Sequence, residues 1–250
     1  TASLMMLTAC SRHSEWTVEG TVTGADGETM VLEASDNGRW YPLDSVKLDG
    51  SGKFSMSQAP CGYPDIYRLR LGDKTLYFPI DSIETVTVIS KAAAFDAEYS
   101  LAGTPTAEKM LDVDRKLRTA ITKHGINALP GDSVLKRELG GIVLGDNGGI
   151  LSYYIINKRL GGVPLYDPTN KSDLRIIGAV ANAYDSRHPN DPRTAYLKKL
   201  YLSNKPVIAK AVSDTIKAQE LGFIDINLYD ETGKKRSIKQ LTDNGHTVLL

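Results

Sequence analysis

Cysteine is almost absent from this 250-residue sequence: only Cys10 and Cys61 occur, so the chain carries no Cys-x-x-Cys and no cysteine framework. The four histidines, His13, His124, His188 and His246, lie far apart and form no HxxxH, HxH or Cys-His spacing, which leaves a metal site without support. An excess of charge of either sign is also missing. Lys plus Arg equals Asp plus Glu at 30 each, so no net field favours nucleic acid, an anionic membrane surface or an acidic substrate. No hydrophobic run approaches the length of a membrane-spanning helix. These gaps do not imply disorder, because 41% hydrophobic and 24% charged residues are an ordinary globular composition with material for more than one core.

What is present falls into two grammars. From Trp16 to Gly103, short runs of period-2 character recur between turn signals, the pattern of an all-β sandwich or small barrel. The runs are 16–22, 30–34, 40–47, 53–57, 66–71, 75–80, 85–89 and 99–101. Gly24-Ala25-Asp26-Gly27, Asp36-Asn37-Gly38 and Asp49-Gly50-Ser51-Gly52 separate them, and hairpins in sequence are the simplest topology. Asp49-Gly50-Ser51-Gly52 begins like a calcium loop, but Lys53 occupies a ligand position and Pro60 stands where a bidentate Glu is needed, so it reads as a hairpin turn. Trp16, Trp40, Tyr41, Phe54, Tyr67, Tyr77 and Phe78 are expected in the core or in cross-strand pairs rather than along a binding groove. Cys61 lies in the loop Ala59-Pro60-Cys61-Gly62-Tyr63-Pro64 with no histidine beside it, and reads as a bystander thiol.

After Gly103 the period changes to 3.6. Thr104-Pro105-Thr106 caps a helix with Met110, Val113, Leu117 and Ile121 on one face, and Gly125 ends it. Further helical patterns cover 133–144, 149–160, 172–184, 191–202 and 206–219, with Asp191-Pro192 as a cap and Leu160-Gly161-Gly162 as a stop. Glu108, Asp112 and Asp114 fit the positive end of a helix dipole. The glycines at 140–141 and 145–149 lack a following Lys-Ser/Thr and do not follow a strand, so they are no phosphate cradle, and Tyr153-Tyr154-Ile155-Ile156 reads as a buried helix face. No catalytic residue and no cofactor site emerges.

The two ends carry the remaining signal. Leu7-Thr8-Ala9-Cys10 resembles a bacterial lipobox, with the polar Ser11-Arg12-His13-Ser14-Glu15 as a tether. On that reading Cys10 is the lipidation site, residues 1–9 are the tail of a signal peptide, and the chain is held in the envelope membrane. A Cys10-Cys61 disulfide, or an Ala-Cys inside an ordinary buried element, are the alternatives. At the other end Ile224, Ile226 and Leu228 alternate with Asp225, Asn227 and Tyr229 as a half-buried strand. The segment 230–233 turns the chain, Ser237, Ile238 and Leu241 form a short returning strand or a helical turn, and Val248-Leu249-Leu250 opens another apolar run.

Taken in order, the lipobox, the turn 48–54, the strand closing in Ser100-Leu101-Ala102-Gly103, the helical segment and the stretch 224–250 resemble envelope lipoproteins with a thioredoxin-like domain. These are thiol-disulfide oxidoreductases of the alkyl hydroperoxide reductase/TlpA/ResA-like type, preceded by a β-domain of unknown function. The resemblance implies an α+β multidomain chain. Residues 1–14 are a signal-peptide remnant, lipobox and tether, 15–103 an antiparallel β-sandwich, 104–221 a helical spacer, and 222–250 the start of a thioredoxin-like domain. In that family Val248-Leu249-Leu250 leads within a few residues into Trp-Cys-x-x-Cys, so this piece is expected to be inactive alone and its complete form a lipid-anchored redox protein with a protein disulfide partner. The competing expectation is a non-enzymatic envelope lipoprotein whose β-domain binds a protein partner or a glycan.

Overall fold

The structure is a computed structural model, and it describes residues 14–36, 38–215, 227–229, 232 and 234–237. Cys10 with its lipobox, and most of 222–250, lie outside the described residues. The chain forms two compact units, one ending at Pro206 and the other beginning at Val207.

The first unit opens with eight strands: β1 (Trp16–Thr23), β2 (Thr29–Asp36), β3 (Arg39–Lys47), β4 (Lys53–Gln58), β5 (Asp65–Leu71), β6 (Lys74–Ile80), β7 (Thr85–Lys91) and β8 (Tyr99–Ala102). They match the eight alternating runs of the sequence. Two four-stranded sheets result, ordered β4-β1-β7-β8 and β3-β2-β5-β6. Alternation sends Trp16, Val18, Phe54, Met56, Val86, Val88 and Leu101 of one sheet against Met30, Leu32, Leu69, Leu71, Leu76 and Phe78 of the other, forming one apolar core. Trp16 packs 4.4 Å from the Tyr67 ring and 6.1 Å from Phe78. Its Nε1 is the one buried side-chain nitrogen or oxygen without a partner among the described residues.

The pairing departs from consecutive hairpins. β1 lies between β4, to which it is antiparallel, and β7, to which it is parallel. The segments 24–27 and 49–52, read from composition as hairpin turns, instead carry the chain from one sheet to the other. The residues before these crossings become complete are apolar and buried: Ala25 and Leu48 enter the core. The crossings also bond each other, Gly27 N to Leu48 O at 2.9 Å and Leu48 N to Glu28 O at 2.8 Å. Asp49 closes its turn by accepting from Ser51 N and Oγ, at 2.9 and 2.5 Å. Gly52, at φ +64°, is required there because a β-carbon would stand 2.1 Å from Val22 O. Gly20 has a similar role inside β1, where a β-carbon would meet Val88 O of the parallel neighbour at 1.7 Å.

On the outer face of the second sheet, Glu33 is buried between two arginines, accepting from Arg68 Nε at 2.5 Å and Arg70 Nε at 2.9 Å. Arg68 in turn lies 4.4 Å from the Trp40 ring centroid, and Trp40 meets Tyr77 edge-on at 5.5 Å although β3 and β6 are the two edges of the sheet, so this contact is no pair between neighbouring strands. Burial alone would raise the Glu33 carboxyl, but the hydrogen bonds from Arg70 and Arg68 outweigh it and hold the group below the usual glutamate value. Because the folded pKa is lowered, this stabilisation is complete above the unfolded value, about 4.3, and disappears as pH falls through the folded one. Glu33→Gln is therefore expected to cost about 2 kcal/mol near neutral pH. Urea titrations at falling pH should show the gap to the parent closing in acid, and a gap independent of pH would refute the assignment.

The helical part comprises α1 (Pro105–His124), α2 (Ser133–Gly145), α3 (Ile150–Ile156), α4 (Lys171–Arg187) and α5 (Pro192–Thr215), with a short hairpin of β9 (Arg159–Leu160) and β10 (Val163–Pro164). Thr104 caps α1 by accepting from Ala107 N at 3.1 Å, and Gly125 ends it at φ +80°, as the sequence indicates. The pattern 149–160 divides instead: α3 stops at Ile156, and Gly161-Gly162, both with positive φ, form the two-residue turn of the hairpin. The patterns 191–202 and 206–219 merge across Pro206 into one helix described to Thr215. The proline withholds one backbone donor, and Asn204 Nδ2 donates to Leu200 O at 2.8 Å in the turn before it.

The helices build a second core that is not separate from the sandwich. Met110, Val113 and Leu117 of α1 pack there with Leu139, Ile155, Ile177 and Tyr184, together with Ile66 and Tyr77 from the outer face of the second sheet. The neighbouring stripe of α1, Ala107 and Leu111, belongs to the sandwich core. One helix thus faces both cores. In the second unit, β11 (Asn227–Tyr229) pairs antiparallel with β12 (Lys235–Ser237), Asn227 opposite Ser237 and Tyr229 opposite Lys235.

Candidate functional site

Three polar constellations stand out in the first unit, and the first two join the sandwich to the helices. Asp114, on α1 between Met110 and Leu117, is turned into the junction and buried. Its Oδ2 accepts from the Tyr99 hydroxyl of β8 at 2.7 Å, and its Oδ1 accepts from the Tyr154 hydroxyl of α3 at 2.8 Å and from Lys158 Nζ at 3.0 Å. Lys158 also bonds the Tyr154 hydroxyl and lies 4.1 Å from that ring's centroid. Burial, followed by the Asp114 charge, pushes both tyrosine hydroxyls above their ordinary value, strongly so for Tyr154. Hydroxyls held neutral and spent on a carboxylate are poor acids or nucleophiles, so this set acts as a fastening.

Arg193, at the start of α5, forms the second constellation. It holds Asp191 through Nε and Nη2, reaches Asp65 Oδ1 at 3.1 Å through Nη1, and donates from Nη2 to Pro64 O. The guanidinium lies 5.1 Å from the Tyr63 ring centroid and 5.3 Å from that of Tyr153. It thereby fixes the loop that contains Cys61. Cys61 is exposed and free, with Sγ donating to Tyr63 O at 3.1 Å and accepting from the Tyr67 hydroxyl at 3.8 Å. Its two sulfur contacts are thus with a backbone carbonyl and a phenol hydroxyl.

The third constellation is an open groove of about 740 Å3 beside the first sheet, lined by Ile89 and Lys91 of β7, Tyr99 of β8, Arg115 and Arg118 of α1, and Glu98. Arg115 and Arg118 are one helical turn apart and share a stripe. Arg118 donates to Asp114 O at 3.4 Å and to Ala97 O, and its guanidinium covers the Tyr99 ring at 4.6 Å. Arg115 faces Asp112 at 4.0 Å, and Lys91 faces Glu98 at 3.5 Å. Two of its three cations, Lys91 and Arg115, thus face a carboxylate each, and the recess carries little excess charge.

Sequence reasoning assigned no catalytic, cofactor or metal residue, and its one site residue, Cys10, lies outside the described residues. It took Asp114 for a dipole partner. The signal against that reading is positional: Asp114 is four residues after Met110 and three before Leu117, on the apolar stripe itself. No group of three or more His, Cys, Asp or Glu suited to a metal occurs among the described residues. None of their helices is long and apolar enough to cross a membrane.

Residues 16–110 match the family described as Domain of unknown function (DUF4369). The matched range is the β-sandwich plus the first turns of α1, through Met110. No curated protein matches the chain. Among solved structures, "Crystal structure of (S)-allantoin synthase" is similar over 36% of this chain and 44% of that one, at 10% identity and a TM-score of 0.27. So slight a likeness bears on neither fold nor activity.

Proposed function

We propose that a chain with DUF4369 as its β-domain serves as the N-terminal, non-catalytic part of a lipid-anchored thiol-disulfide oxidoreductase of the bacterial envelope. The observation that carries this reading is the antiparallel pair Asn227–Tyr229 with Lys235–Ser237, which lies where the resemblance to thioredoxin-like envelope lipoproteins calls for opening strands. Cys10 would carry the lipid. The dithiol would follow the strand 248–250, its thiolate stabilised at a helix N-terminus and attacking a partner's disulfide while the pair itself is oxidised.

The coding frame past Leu250 provides the test. A Cys-x-x-Cys within roughly twenty residues is expected, and its absence would sink the redox reading. The protein extended through that motif should reduce insulin disulfides, whereas the 1–250 chain should not. Labelling with radioactive fatty acid in a bacterial host should disappear in Cys10→Ala, and labelling that persists removes the anchor.

The competing reading is a non-enzymatic envelope lipoprotein whose β-domain binds a protein partner or a glycan; it wins if no Cys-x-x-Cys follows Leu250 and the purified chain binds an envelope protein or glycan.

A further inference from the structure

We propose that one face of the first unit, formed by the close of α1, the β9-β10 hairpin and the start of α5, lies against a membrane surface that carries anionic phospholipid. The inference rests on the envelope-lipoprotein reading for its setting and adds a surface of the folded chain that meets the bilayer without the help of an anchor.

Zero net charge conceals an uneven distribution. Residues 115–131, 147–166 and 192–206 contain no Asp or Glu, yet each stretch carries lysine and arginine. The fold brings the three together. β9 packs against the short 3-10 helix Ile126–Gly131 that follows α1, and a β-carbon at Gly161 would touch Ile126 Cδ1 at 3.8 Å. From α5, the Tyr196 hydroxyl donates to Asn157 Oδ1, just ahead of β9, at 2.9 Å. The Arg159 charge reaches the same hydroxyl and partly offsets the rise that burial gives its pKa.

Two kinds of exposed side chain meet there. Ile126, Val163 and Tyr196 are large and apolar in body, and Val163 is 48% and Tyr196 47% exposed. Lys123 in the last turn of α1, Arg159 at the start of β9, and Lys199 one turn after Tyr196 are exposed cations, and none of them forms an ion pair among the described residues. The carboxylates at the border are committed elsewhere: Asp132 caps α2, Asp185 faces Lys198 and Asp191 holds Arg193. Charge alone would also suit an acidic protein, and the apolar side chains decide for a bilayer. Val163 beside the Gly161-Gly162 turn, and Ile126, fit the headgroup region as small apolar wedges, Tyr196 has the ring and polar tip that settle at that depth, and long basic side chains beside them reach lipid phosphates.

The test uses the 1–250 chain with Cys10→Ala, so that no acyl group contributes, sedimented with vesicles of equal parts phosphatidylcholine and phosphatidylglycerol or of phosphatidylcholine alone. The chain should follow the anionic vesicles, stay behind with the neutral ones, and come off in added salt. Arg159→Glu and Lys199→Glu should each weaken binding at least about fivefold. Lys109→Glu, also exposed but about four turns before Lys123 on α1, should leave it nearly unchanged. Val163→Ser should weaken it several-fold with every charge intact. Circular dichroism and urea midpoints matching the parent verify that the variants fold. Equal binding to both vesicles, binding to neither, or a loss in Lys109→Glu as large as in Arg159→Glu overturns the face assignment. Indifference to Val163→Ser overturns the choice of a bilayer, and capture on polyglutamate without any vesicle binding would make the occupant an acidic protein. None of these results touches the Cys10 anchor or the dithiol, because the chain used carries neither.

Discussion

Asp114→Ala is expected to lower the stability of the first unit by about 3–5 kcal/mol, the range for removing one partner from a buried, hydrogen-bonded charge set. The loss follows from what remains. Without the carboxylate, the Lys158 ammonium and the Tyr154 hydroxyl keep each other but lose their common acceptor, and Tyr99 loses its own. Buried donors left unpaired cost more than the bonds contributed. At about 2–4 °C per kcal/mol for a unit of this size, the thermal midpoint should fall by roughly 10 °C. Two probes make the result specific: indole fluorescence, which Trp16 reports from the sandwich core, and circular dichroism of the helices. Because α1 faces both cores, the transitions should coincide in the parent and in the variant. A loss below about 1 kcal/mol would show that Asp114 is no fastening. Replacing the whole set, with Asp114→Leu, Tyr99→Phe, Tyr154→Phe and Lys158→Met, should recover much of the loss, since an apolar substitute removes the unpaired groups along with the bonds.

How far the sequence discloses this molecule can be judged residue by residue. The strands from Trp16 to Ala102 are legible because each places apolar side chains on one face of a pleat, and that period survives without tertiary information. The order of the strands is not, because Gly24-Ala25-Asp26-Gly27 has the composition of any turn. The crossing is visible only in the fold, where β1 and β2 fall in different sheets and Ala25, like its counterpart Leu48, is buried. Thr104, Pro105 and Gly125 mark α1 since caps are local chemistry. Pro206 misleads for the complementary reason: a local penalty against helix continuation is outweighed by a long helix. The fastening at Asp114 is half legible, in its position on the apolar stripe, while its donors Tyr99, Tyr154 and Lys158 are brought together by the fold alone. The groove has no sequence signature, because the cations that line it come from β7 and α1 and mean nothing until those elements adjoin.

Arg193→Ala should match the Asp114 variant in size, about 3–5 kcal/mol, with a different pH dependence. The guanidinium is 11% exposed and serves two carboxylates, Asp65 at 3.1 Å and Asp191 at 2.7 Å, besides the Pro64 carbonyl. Asp65 already titrates above its ordinary value because burial outweighs the pull of Arg193 and of the Ile66 amide. Removing Arg193 takes away the stronger of those opposing influences, so the Asp65 pKa rises further. A carboxyl whose folded pKa is raised contributes stability that is complete below the unfolded value, about 3.9, and is lost as pH rises through the folded one. The variant is consequently weakest relative to the parent at neutral pH, where Asp65 must ionise without its cation. It should regain ground as acid supplies a proton in place of the guanidinium. Arg193→Lys keeps the charge but lacks the planar fork that reaches Asp65, Asp191 and Pro64 together, and should fall between the two. Urea midpoints for all three proteins at neutral and mildly acidic pH decide the matter: a deficit in Arg193→Ala that does not change with pH would mean that the carboxylates are not what the arginine holds in place.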